Sequence, residues 1–184
     1  MQIWKNFKIA AAAVAFLWLV YFINQVTAVD LRLWGLRPRS AEGLAGIILA
    51  PLLHGDLSHL IANSGACFVL LALALSFNRK LAIKAILIIV MAGGGLTWMF
   101  GNSNAVHIGA SGVIFGLLAF LLSLGALRRE WSAFLISAAV LVLYGGAIRS
   151  LLVYTQGTSW TGHFFGFVSG MLAAWWTKKD RIKK

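Results

Sequence analysis

The chain has 184 residues, 60% of them hydrophobic and only 11% charged, where a soluble domain carries about a quarter charged residues. That balance excludes an ordinary water-soluble domain and leaves no room for one beside a membrane unit. The formal net charge of +11 invites a nucleic-acid reading, yet the basic residues sit in short clusters between apolar runs, so they read as topology signals and no nucleic-acid partner is expected.

In chain order, a basic head (Lys5, Lys8) precedes an apolar run over residues 9–29, long enough to cross a bilayer of ~30 Å. The Val26-Thr27-Ala28 triplet resembles a signal-peptide processing site, but the run exceeds the ~7–15 apolar residues of a signal core, so a retained first span is expected. Residues 30–56 form the longest connection. Arg32, Arg37, Arg39 and Glu42 are followed by an apolar stretch over 44–53 that is too short to cross and is interrupted by Pro51. It is expected at the interface or tucked between spans.

Further spans are expected at 57–77, 82–100, 110–127, 131–152 and 160–177, with uncharged loops at 101–109 and 155–159. The predicted fold class is all-α: a polytopic six-transmembrane-helix bundle, one domain over residues 1–184. With both termini on one side, twelve of the sixteen Lys and Arg residues fall there and four, Arg32, Arg37, Arg39 and Arg149, on the other. The positive-inside rule then puts both termini in the cytoplasm, and short basic tails without a targeting extension suit a bacterial inner membrane. The lone Cys67 can form no intrachain disulfide and reads as a packing residue.

Spans two, four and six all enter from the outer face, so His59, Ser111 and His163 fall within roughly two turns of one boundary. Ser111, set in His107-Ile108-Gly109-Ala110-Ser111-Gly112-Val113-Ile114-Phe115-Gly116, is either a helix cap or a nucleophile. His59 and Asn63 lie one turn apart on one helix face, as interhelical glue or as donors for a developing oxyanion. Gly162 and Gly166 make a groove on span six, and Gly112 and Gly116 offer a matching face on span four. Packing of those faces would bring His163 to Ser111, although glycines serving packing alone remain open.

Other hydrolytic designs fit less well. No Asp or Glu lies inside any expected span, so an aspartyl pair has no members. His54-Gly55-Asp56-Leu57-Ser58-His59 lacks the His-Glu-x-x-His spacing of a zinc peptidase, and neither metal nor cofactor is expected. Without a buried acid, a serine site would be a dyad rather than a triad.

Three segments in this order, His54-Gly55-Asp56-Leu57-Ser58-His59-Leu60-Ile61-Ala62-Asn63, Gly109-Ala110-Ser111-Gly112 and Gly162-His163-Phe164-Phe165-Gly166, resemble the rhomboid family of intramembrane serine proteases across residues 33–176. The resemblance implies Ser111 as nucleophile, His163 as general base, and His59, Asn63 and the Ser111 N–H as oxyanion donors. His54, Gly109 and Phe115 are its supporting positions. It implies substrates that are transmembrane helices of other proteins in the lipid bilayer, cut near the outer boundary; it says nothing of oligomeric state. His107 matches no catalytic position and reads as a loop residue. Two departures stand out: Gly35-Leu36-Arg37-Pro38-Arg39 replaces the Trp-Arg pair of some members, and Phe115 stands where a tyrosine often stacks on the histidine. The rival readings are a catalytically inactive rhomboid-like escort of membrane proteins, and a transporter or channel whose polar groups would spread across the membrane depth.

Overall fold

Six long helices make up most of the computed structural model, which describes residues 2–151 and 159–180. They are α1 (Gln2–Val26), α2 (Leu57–Phe77), α3 (Arg79–Phe100), α4 (Ser111–Leu127), α5 (Trp131–Ile148) and α6 (Trp160–Thr177). Among the described residues there is no strand, only an isolated bridge between Leu36 and His107. The protein is an all-α polytopic membrane fold, in which α1, α2, α3 and α5 are long and apolar enough to cross a bilayer.

α4 is the centre. It has 17 residues, about 25 Å of helix, and every residue from Ile114 to Leu121 is buried. A helix apolar on all sides must be surrounded on all sides. Its closest neighbour is α6: methyl groups on Gly166 and Gly170 would overlap the carbonyl oxygens of Gly112 and Gly116. The glycine faces expected on spans four and six therefore meet, and the two backbones approach as only small residues allow. α3 joins them through a π-helical turn at Ile89–Gly93, where Gly93 lies against Gly166.

The ends are tied by polar groups matched to helix termini. Asp56 accepts the His59 N–H at 2.8 Å and Asn78 accepts the Leu81 N–H at 3.0 Å, starting α2 and α3 with side-chain caps. Arg128, nearly buried, donates to the Thr177 and Asp180 carbonyls at 2.9 and 2.6 Å and so satisfies the last carbonyl of α6 and one in the turn after it. α1 rests on α2, with Asn6 donating to the Leu75 carbonyl and Trp18 to the Ser64 hydroxyl.

Several expected boundaries shift. α1 begins at Gln2, taking in the basic head, and ends at Val26; α3 begins three residues early, at Arg79. Helical hydrogen bonding does not stop where hydropathy does, because Lys and Arg stems run along the apolar surface with their charges in water. The 44–53 stretch folds as helical turns within Glu42–Leu52, and its Ile47 packs on Gly94 of α3, so it tucks against the bundle. α5 gives way to a 3₁₀ turn, Arg149–Leu151; the expected span end at Leu152, loop residues 155–158 and tail residues 181–184 lie outside the described residues.

Candidate active site

Ser111 is the first residue of α4. Its N-cap is Ala110, with no side-chain cap bond, so the serine hydroxyl is not used as a cap. Its Oγ lies 2.8 Å from Nε2 of His163 instead. If the imidazole is neutral with its proton on Nδ1, Ser111 donates and Nε2 accepts, the arrangement that activates a serine. His163 sits in the first turn of α6, its N–H donating to the Ser159 carbonyl at 3.0 Å, and its ring stacks on Phe115 at 4.5 Å and 25°. Phe115 thus supplies a ring one turn along from Ser111, without a phenolic hydroxyl.

The first turns of α2 and the loop before Ser111 complete the site. Gly109 has φ +111°, a backbone region that favours glycine, and its N–H donates to the Ala50 carbonyl at 2.9 Å. A methyl group there would stand 2.6 Å from Cε1 and Nε2 of His59 and 3.7 Å from Nδ2 of Asn63. Both side chains therefore face the turn that delivers Ser111. Asn63 is 6% exposed, and its Nδ2 is buried without a hydrogen-bond partner. A buried orphan donor costs ~1–3 kcal/mol, and this one borders the same cavity as Ser111.

That cavity, of about 730 Å³, is lined by His59, Asn63, Ser111, Phe115, Ser159 and His163 among others. Asp56 at its edge is held below the usual carboxylate range by the Ser58 hydroxyl and then the His59 N–H, so its negative charge is committed to the α2 cap. His54 is buried, edge-on to His59 with ring centroids 5.1 Å apart; burial, with the His59 charge second, pulls its pKa down to about 4. It is a neutral buttress at physiological pH. Among the described residues no three His, Cys, Asp or Glu side chains gather as a metal site. A hydroxyl beside an imidazole, with N–H donors across a cavity, is suited to acyl transfer.

All seven site positions expected from sequence lie in this one region: Ser111, His163, His59, Asn63, His54, Gly109 and Phe115. His107 and Ser159 are both expected only as loop residues, yet His107 Nδ1 lies 2.6 Å from Ser159 Oγ. The signal in the sequence is a histidine in an otherwise uncharged loop, four positions before Ser111.

A family model described as Rhomboid domain matches residues 41–180. An uncharacterized protein of Mycobacterium tuberculosis is 41% identical over 170 residues, which is 88% of this chain and 71% of that protein. One from Mycobacterium leprae is 40% identical over 173 residues, 88% and 67% of the two chains. YdcA of Bacillus subtilis, provisionally named a rhomboid protease, is 30% identical over 142 residues, 73% of this chain and 69% of its own.

Proposed function

The chain belongs to the rhomboid family, and on that footing we propose that it is an intramembrane serine endopeptidase working by a Ser111–His163 dyad. The observation that carries the reading is the 2.8 Å approach of Ser111 Oγ to His163 Nε2 in a cavity that Asn63 also lines, with its buried Nδ2 unpartnered. His163 takes the Ser111 proton as Oγ attacks the peptide carbonyl. The resulting oxyanion is held by His59, Asn63 Nδ2 and the Ser111 N–H, one of the first-turn N–H groups that a helix leaves unpaired. His163 then protonates the departing amine, and water entering through the cavity hydrolyses the acyl-enzyme with His163 again as base.

The substrate class is a transmembrane helix that unwinds at the cavity. It enters beside α5, which packs mainly on α4 and contacts α2 only slightly, a loose lateral seam next to the site. The lysine and arginine distribution puts both termini in the cytoplasm and the cavity on the opposite side of a bacterial inner membrane; thiol labelling of single-cysteine variants at Lys5 and Asn102 would report opposite faces.

A fluorophosphonate probe tests the chemistry. The wild type is expected to label and Ser111→Ala not to; cleavage of a helical reporter should be lost in Ser111→Ala and in His163→Ala. Equal labelling of wild type and Ser111→Ala would remove the serine assignment. A folded wild type that neither labels nor cleaves, but still binds membrane-protein helices, would favour the inactive escort.

A further inference from the structure

His107 is a buried polar side chain beside the site that the dyad and its oxyanion donors leave without a task. It is 8% exposed, and three connections converge on it. Its main chain pairs in both directions with Leu36, whose N–H donates to the His107 carbonyl at 3.0 Å and whose carbonyl accepts the His107 N–H at 2.8 Å. Its ring spans from Gly101, where a methyl group would stand 3.1 Å from Nε2, to Ser159, whose hydroxyl lies 2.6 Å from Nδ1. Ser159 in turn is the residue whose carbonyl holds the His163 N–H at 3.0 Å.

Ser159 is placed for this contact by its neighbours. A methyl group on Gly162 would come 2.5 Å from Ser159 Oγ, so the glycine leaves space for the hydroxyl over the first turn of α6. Burial lowers the His107 pKa, opposed by the Asn102 backbone. The ring is therefore neutral at pH 7 and bonds Ser159 through Nδ1 as donor or acceptor, according to tautomer.

We propose that His107 is a positioning residue: anchored by Leu36, it clamps Ser159 through Nδ1 and so fixes the first turn of α6 where His163 must meet Ser111. The first long connection thereby reaches the base without touching it. The inference rests on the dyad reading for its catalytic consequence, not for the clamp itself. A base misplaced by about 1 Å can lose roughly a hundredfold in rate, so breaking the clamp acts on turnover and leaves substrate affinity alone.

The test uses the full chain in detergent micelles, with His107→Ala, His107→Asn, His107→Gln and Ser159→Ala. The amide nitrogen of Asn overlays Nδ1, whereas that of Gln overlays Nε2, so Asn alone restores the bond. His107→Ala, His107→Gln and Ser159→Ala are expected to label with fluorophosphonate and cleave reporter about 10–100-fold more slowly at unchanged KM. His107→Asn should recover to within about threefold of wild type, and His107→Ala/Ser159→Ala should be no slower than either single variant. Hydrogen exchange at the His163 amide should rise in the three slow variants and not in His107→Asn. Full activity of Ser159→Ala, equal losses in His107→Asn and His107→Ala, or unchanged exchange at His163 would each overturn the proposal. A wild type that does not label refutes the dyad instead, and exchange then decides the clamp on its own.

Discussion

Gly109→Ala is the sharpest probe of the oxyanion arrangement because the perturbation is one methyl group. At φ +111° alanine carries backbone strain of ~1–3 kcal/mol. The methyl would also stand 2.6 Å from Cε1 and Nε2 of His59, against ~3.5–4.0 Å for an unstrained contact. His59 must therefore withdraw by about 1 Å, beyond the ~2.7–3.1 Å window in which a donor stabilises an oxyanion. Losing one such donor costs ~2.7–4 kcal/mol, or about 10²–10³ in kcat. The assay is kcat on a helical reporter, with helical content by circular dichroism to show that the variant is folded. His59→Ala should lose a similar factor, and Gly109→Ala/His59→Ala should be no slower than His59→Ala. A folded Gly109→Ala within about threefold of wild type, or losses that multiply in the double variant, would refute the placement of His59 as a donor held by Gly109.

Three further outcomes follow from packing and burial. Phe115→Leu removes a stack worth ~0.5–1.5 kcal/mol and should lower kcat/KM by about 2–10-fold, while Phe115→Tyr keeps the ring and should stay within that range of wild type. Gly166→Ala drives a methyl into the Gly112 carbonyl and should destabilise the bundle by ~1–3 kcal/mol in denaturant titrations, whereas Gly95→Ala, with open space around it, should be neutral or stabilising. His54, with its folded pKa of about 4 against an ordinary 6.5, favours the unprotonated state in the fold. Its stabilising share is complete above pH 6.5 and is lost as pH falls toward 4, because the unfolded chain takes up the proton first. Unfolding measured from pH 7 to 4 should lose up to ~3 kcal/mol, and His54→Gln should flatten that slope.

The helices were legible from hydropathy: the α2 and α6 limits match the runs 57–77 and 160–177, whereas α3 starts at Arg79 because Asn78 caps it, a polar signal that hydropathy passes over. The glycines at four-residue spacing were legible as faces, and the two faces do meet. Less could be read where a polar residue is buried by a partner far along the chain. Asn6 sits in the basic head, yet it is 3% exposed and bonded to Leu75 and Arg79. His107 and Ser159 are 52 residues apart, and neither carries a motif. Such pairs are set by which loops end up adjacent, and no local period encodes that.

The expected topology puts His59, Ser111 and His163 at one depth, but depth alone leaves the cap, the glue and the nucleophile open. Local chemistry separates them. A serine that capped α4 would point its hydroxyl back at its own N–H groups, and here Ala110 occupies the cap while Ser111 Oγ turns to another helix. An asparagine serving as glue would bond a neighbouring backbone, and here Nδ2 is buried and unpaired. The glycines Gly112, Gly116, Gly162 and Gly166 do serve close packing, whereas Gly109 has a positive φ with His59 beside it. Of the three, the unpaired Asn63 donor costs ~1–3 kcal/mol, whereas glycine takes a positive φ freely; Asn63 and Ser111 line one cavity at the first turns of α2, α4 and α6, and Gly109 makes the turn that leads into Ser111. An unpaired donor on α2 and an uncapped hydroxyl on α4 at one cavity of about 730 Å³ are the local departures that the proposed dyad and oxyanion site would need.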